Sequence, residues 1–183
     1  MKFMFFLITL LACLSCFSQN KDVAIEVTPQ IEKKIRDEVE KQVPSFQRTL
    51  QKEKLNQIQM EFAIDTFRIE RFTEKWIELD FTDVGMSNGA YAGAKGYDSL
   101  LNKYYKKLLA VLKPDDKKVL IQAQKAWLSF RDSEYNLVQT ISKDEYSGGG
   151  TLQQLTESGM YLSLVKTRTI DIFQHYTRAT QNE

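Results

Sequence analysis

Residues Tyr97-Asp98-Ser99-Leu100-Leu101-Asn102-Lys103-Tyr104-Tyr105-Lys106-Lys107-Leu108-Leu109-Ala110-Val111-Leu112 decide the fold class. Tyr97, Leu100, Leu101, Tyr104, Tyr105, Leu108, Leu109 and Leu112 recur at helical intervals, and the stripe stops just before Pro114, where a helix is expected to end. A face this broad belongs on a core helix. Downstream, Asp115-Asp116 place negative charge at the start of the next helix, where its dipole favours it. Val119, Leu120, Ala123, Trp127, Phe130, Leu137, Val138 and Ile141 then continue a stripe over about seven turns, which predicts the longest helix of the chain.

Beyond it, Tyr146-Ser147-Gly148-Gly149-Gly150 is the strongest breaker, and Thr151-Leu152-Gln153-Gln154 has capping-box form, with Thr151 as N-cap of a last helix. Leu152, Leu155, Leu162, Val165, Ile172 and Tyr176 give that helix its buried face, and Gly159 would let a neighbour approach it. Upstream, Gly85, Gly89, Gly93 and Gly96 with Ser87-Asn88 read as a loop or short irregular helix between Phe81 and Gly96. Thr28-Pro29 is an N-cap with proline at the first helical position, and Ile31, Ile35, Val39 and Val43 follow at every fourth residue until Pro44 ends or kinks the helix. A second helix is expected from near Ser45 to about Asp80, with a break at Asp65-Thr66. No strand-period segment competes. The fold class is all-α: a small helical domain of about four to five helices with an N-terminal helical arm after a signal segment.

Of 183 residues, 43% are hydrophobic, enough for one core. Met1 to Ser18 has one Lys, an apolar run from Phe3 to Ala12 and a small, polar end, the anatomy of a secretory signal. Two processing routes fit: cleavage after Ser18, or lipidation at Cys13 within Leu10-Leu11-Ala12-Cys13. The expected organisation is a signal segment (1–18), a helical arm (19–63), a helical domain (64–178) and a tail (179–183). Cys13 and Cys16 both fall in the leader, and His175 is the single histidine, so the usual ligands for zinc, haem or iron–sulfur are missing and no metal or cofactor is expected. The formal charge is +1, and basic and acidic residues balance in both 19–63 and 64–183, which argues against a nucleic-acid binder and against a steering field.

Two stretches carry a resemblance. Asp98, Leu101, Asn102 and Tyr105 spell D-x-x-L-N-x-x-Y, and Gln124-Lys125-Ala126-Trp127-Leu128-Ser129-Phe130-Arg131-Asp132 spells Q-x-A-W-L-x-x-R-D. With the Gly148-Gly149-Gly150-Thr151 turn and the late Arg168, the chain resembles the lysozyme inhibitor LprI-like N-terminal domain family over about residues 64–178. The resemblance implies an exported helical protein that binds a lysozyme or another envelope protein. Family members commonly carry cysteines where this chain has Tyr135 and, beside Gly159, Met160. Packing is expected to stand in for a cross-link, with the Tyr135 ring lying against the last helix near Gly159, so that a larger residue at Gly159 would destabilise the fold.

The motif residues Asp98, Asn102, Tyr105, Gln124, Trp127, Arg131, Asp132 and Arg168 read as structural. Trp127 sits on an apolar stripe. Arg131 and Asp132, about 100° apart on a helix, are expected to meet partners such as Asp98 or Arg168 on other helices. Asp98 and Asn102 could cap the glycine-rich loop or receive Arg131. The partner-binding candidate is the loop of Tyr146, Ser147, Gly148, Gly149, Gly150 and Thr151, where glycine backbone can enter a groove and Tyr146 supplies an anchor. No lysine follows the glycines at P-loop spacing, which excludes nucleotide binding. Glu134, Asp144 and Glu145 could be paired as in a glycosidase, but helices scatter carboxylates this way routinely, and no catalytic residue is assigned. Two functions remain. One is a lysozyme inhibitor, handicapped by its even charge unless Asp144, Glu145 and Glu157 cluster in space. The other is an envelope module that binds another protein or a small ligand through the 28–62 helices, favoured if Ile31, Ile35 and Val39 face outward.

Overall fold

The computed structural model describes residues 23–181. Six helices account for most of them: α1 (Pro29–Leu50), α2 (Gln57–Leu79), α3 (Asp83–Val111), α4 (Pro114–Ile141), α5 (Asp144–Ser147) and α6 (Thr151–Ala179). The all-α class is observed, and the count exceeds the expected four to five because the turn at Tyr146 contains a short helix of its own. The leader and its lipidation candidate Cys13 lie outside the described residues.

The Thr28 hydroxyl caps α1 by accepting from the Ile31 N–H at 3.4 Å, and Pro29 is its first residue, as the spacing predicts. Pro44 does not end the helix, which runs to Leu50. Proline forfeits a local hydrogen bond, but Val43, Phe46 and Leu50 go on packing against Ile64 and Phe67 of α2, and that burial holds the last turns. The break falls instead at 51–56, where Asn56 and Gln59 form a reciprocal capping box at 2.9 and 3.0 Å. α2 then passes through Asp65-Thr66 unbroken, since Ile64 and Phe67 on either side stay packed against α1, and the Thr66 hydroxyl donates back to the Phe62 carbonyl at 3.0 Å. α1 lies along α2 rather than standing in solvent. Its stripe points inward, with Ile35, Val39 and Val43 buried, Arg36 stacked on Phe72, and Glu38 and Glu40 paired with Lys75 and Arg68 at 2.8 and 2.7 Å.

The glycine-rich stretch expected as a loop is the first half of α3. Four glycines do weaken a helix by up to about 1 kcal/mol each. Here Gly85, Gly89, Gly93 and Gly96 form one stripe against Asp80, Trp76, Thr73 and Ile69 of the α2 side, at distances that leave little or no room for a Cβ. Thr82 caps this helix by accepting from the Gly85 N–H at 2.9 Å while donating to Asp80 at 2.7 Å. α3 is therefore held between two neighbours. Its other face, including Ser87, Ala94, Tyr97 and Leu101, packs on α6, which runs parallel to it. The Ser87 hydroxyl donates to the Gln154 carbonyl at 3.3 Å, and fully buried Thr169 reaches the Tyr97 carbonyl at 3.1 Å.

Around Tyr104 the core is aromatic: Phe62 stacks on Phe173 at 3.8 Å, and Tyr104 meets both edge-on. Outside it, Glu61 pairs with Lys103 at 2.8 Å and Lys107 at 2.7 Å, and Asp65 also reaches Lys103, closing α2 antiparallel onto α3. α4, expected to be the longest helix, has 28 residues against 29 in α3 and in α6, and it buries only Leu120 and Val138.

Gly159 has open space where its Cβ would be, so the expected close contact there is absent. The Tyr135 ring does rest on α6, but against Tyr161 at 5.0 Å, with its hydroxyl 2.8 Å from that of Tyr91. A Cβ on Gly85, in contrast, would lie 2.5 Å from the Asp80 carbonyl oxygen. Gly85→Ala should lower stability by about 1–3 kcal/mol and Gly159→Ala raise it by about 0.5–1 kcal/mol, measured by urea unfolding. Lys103 and Lys107 hold the Glu61 carboxyl below its usual range. A depressed carboxylate adds stability that is complete above its unfolded pKa and is lost as pH falls through the folded one. Glu61→Gln should melt earlier at neutral pH, by under about 1 kcal/mol since the pair is partly exposed, and the difference should vanish in strong acid.

Candidate functional site

One end of the molecule gathers the end of α2 and α4, the start of α3 and α6, and α5. It follows from direction: α2 is antiparallel to α3, α6 is parallel to it, and α4 returns antiparallel to α6. The candidate loop lies here. α5 closes when Gly148, at φ 76°, donates its N–H to the Asp144 carbonyl at 3.0 Å. Gly149, at φ 77°, donates to the Ser147 hydroxyl oxygen at 3.1 Å, and the Asp144 carboxylate fills the space a Cβ would take. The capping box expected at Thr151 is not formed. Gly150, at φ 96°, occupies the cap position, which leaves Thr151 as the first helical residue with its hydroxyl donating to Asp83. Tyr146 and Leu152, 61% and 60% exposed, stand out on either side of the glycines.

The same end is acidic. Residues 81–94 and 133–165 carry Asp83, Glu134, Asp144, Glu145 and Glu157 against one cation, Lys143, none of these carboxylates being in an ion pair among the described residues, while the start of α1 and the end of α2 at the same end hold charges of both signs, with Lys33, Lys34 and Lys75 among Glu26, Glu32, Glu74, Glu78 and Asp80. The even charge of each sequence half conceals this, because helices that cross the molecule in both directions bring distant acidic segments together. Asp83 lies at the N-terminus of α3 and, through Thr151, at that of α6, where two helix dipoles favour its charge. Just beneath, Tyr91, Tyr135 and Tyr161 cluster, and burial, the Tyr135 hydroxyl and nearby Glu157 push the Tyr91 phenol well above its ordinary range.

The motif residues gather elsewhere, about 22 Å away along α3 if Asp83 and Asp98 mark the two places. Asp98, Asn102, Tyr105 and Gln124 line a groove of about 250 Å³ between α3 and α4. Asn102 donates to Asp98 at 3.2 Å, so neither residue caps the loop or receives Arg131. Arg131 instead pairs with its neighbour Asp132 at 2.6 Å, against expectation, because a long guanidinium arm can bend across the angle between consecutive positions. Half-buried Trp127 has two guanidiniums near its ring, Arg131 at 5.5 Å and Arg168 at 5.8 Å from the centroid. Arg168 also donates to Gln124 at 3.1 Å, and burial lowers its pKa against the pull of Asp171. The two Arg168 contacts tie α4 to α6, while those of Arg131 stay within α4.

Sequence reasoning misses Asp83, whose role depends on α3 beginning at Thr82, and the Tyr91 cluster, since Tyr91 sits in the stretch read as a loop. Among the described residues no group of three or more His, Cys, Asp or Glu is placed to hold a metal ion, and no helix is long and apolar enough to cross a membrane. The family model described as lysozyme inhibitor LprI matches residues 80–171, half of the chain, spanning α3, α4, α5 and most of α6. No curated protein and no solved structure matches.

At Gly148 the left-handed backbone is the constraint, since a Cβ there would meet nothing. Gly148→Val should therefore cost about 1–2 kcal/mol and Gly148→Asn clearly less, a ranking readable from thermal melts.

Proposed function

The chain belongs to the LprI lysozyme-inhibitor family, and we propose that it is an exported helical protein that binds and blocks a lysozyme or a related peptidoglycan hydrolase through the acidic end bearing Tyr146 to Thr151. It works as a binder and not as an enzyme. The observation that carries the reading is the coincidence, at one end, of exposed Tyr146 and Leu152, a glycine backbone without side chains, and the carboxylates Asp83, Asp144, Glu145 and Glu157, which are in no ion pair among the described residues.

Each part has a physical task. Many lysozymes are basic, and a local excess of carboxylates draws a cationic partner in and orients it before contact. Tyr146 then buries a large ring at small entropic cost, and Gly148 to Gly150 let the backbone enter the cleft that the hydrolase uses for its glycan. Arg168, on the Trp127 ring and Gln124, acts at a distance by holding α4 against α6, and so by fixing where α5 sits, with Arg131 bracing the same ring from within α4. The leader carries the protein out of the cytoplasm, as a periplasmic or secreted protein or, through Cys13, as a membrane-anchored lipoprotein. Contact through an outward stripe on the first helix loses its premise, since Ile35 and Val39 are buried on α2.

The test is a titration against a panel of lysozymes, following lysis of cell walls and binding by calorimetry. Inhibition is expected at stoichiometric concentrations. Tyr146→Ala should weaken binding by about 1–3 kcal/mol, roughly ten- to a hundredfold in Kd. Asp144→Asn with Glu145→Gln should slow association at low salt and matter little at high salt. A folded, helical protein that leaves every lysozyme in the panel active would sink the proposal.

A further inference from the structure

α4 has two apolar flanks, and only one is used. Leu120, Trp127 and Val138 turn toward α6, whereas Val119, Phe130 and Leu137 are 66%, 53% and 53% exposed. With Ala123, Ala126 and Ser133, also exposed, they make a single row along the helix, since the positions advance by three or four residues. At each end the row opens into a groove between α4 and α6. One, of about 360 Å³, has Val119 and Ala123 opposite His175, and the other, of about 210 Å³, has Leu137 and Ile141 opposite Met160. A helix face of this length, apolar and uncovered, is built to receive another helix.

We propose that this face joins two copies of the chain across a two-fold axis, with α4 antiparallel to its counterpart at the level of residue 128. The sequence of the row is self-complementary about that point: Val119 falls opposite Leu137, Ala123 opposite Ser133, and Ala126 opposite Phe130. Each large side chain meets a small or medium one, as interdigitated helices require. A parallel pair would set Phe130 on Phe130 and Ala126 on Ala126, whereas the antiparallel register seats each phenylalanine on an alanine. Charge selects the same direction. The acidic end with Glu134, Asp144 and Glu145 lies at the C-terminus of α4, while its N-terminal end carries Lys106, Lys113, Lys117 and Lys118 against Asp115 and Asp116. A two-fold axis across α4 reverses one copy, so the acidic end of each lies beside the basic end of the other. The loop at Tyr146 stands at the tip, beyond the paired faces, and the dimer presents two such tips in opposite directions.

Cysteine pairing tests the register directly. The full chain, expressed from its own leader with Cys13→Ser and Cys16→Ser, has no native thiol. Within one chain residues 119 and 137 are about 27 Å apart along α4, far beyond the reach of a disulfide. Mild oxidation of a mixture of Val119→Cys and Leu137→Cys proteins should therefore give a disulfide-linked dimer, and either variant alone should give none. In sedimentation velocity the unmodified chain should be a dimer whose Kd rises with salt. Phe130→Asp should make it a monomer with unchanged helical circular dichroism, and Ala126→Trp, which leaves the exposed face apolar but blocks the approach, should do the same. A monomer at every concentration, a dimer that survives both substitutions, or cross-linking of Val119→Cys alone as efficient as that of the mixture would each overturn the proposal.

Discussion

Helices α3 and α6 run parallel and touch along most of their length, from Ser87 on Gln154 at one end to Tyr104 on Tyr176 at the other, and the other long helices are placed by reference to that pair. The contact is close because the residues at its acidic end are small. Ser87, Ala90 and Ala94 of α3 and Ser158 of α6 are all buried. Further along, the interface widens around Tyr97, Leu101, Tyr104, Val165 and Ile172, which form the main core. The buried hydroxyls of Ser87 and Thr169 each find a backbone carbonyl, so close packing leaves neither of them orphaned.

Parallel pairing has an electrostatic consequence. Two helix N-termini share one end of the molecule, and their dipoles favour negative charge there. Asp83 answers both, within its own first turn and through the Thr151 hydroxyl, and the carboxylates of α4, α5 and α6 lie at the same end. The polarity that a binding end would use is thus an outcome of chain direction. α4 supports it from outside, tied to α6 by Arg168, which reaches Gln124 and the Trp127 ring, yet lightly enough that one whole flank stays uncovered.

The helices with wide apolar stripes are legible in the amino-acid sequence. The face from Tyr97 to Leu112, the Thr28-Pro29 start, the acidic first turn of α4 and the breaker at Gly148 all read correctly, because each rests on local geometry. Two expectations fail for one reason. Glycine at 85, 89, 93 and 96 counts against a helix on propensity, although its spacing is helical, and proline at 44 counts as a stop. Both judgements describe an isolated segment, and burial against a neighbouring helix outweighs them. Gly159 errs the other way: a glycine with helical spacing and no neighbour looks the same in sequence as one with a neighbour.

What the amino-acid sequence determined by itself was the class of fold, the places of most helices and the likeness to a family, since helical period, caps and breakers act over a few residues. Which faces meet, which glycines are pressed against a neighbour, and where the charges gather were decided by the tertiary structure. Those depend on the direction in which each helix crosses the molecule, and direction is set by contacts between residues far apart in the chain. A chain that is neutral in each half therefore folds into one with an acidic end.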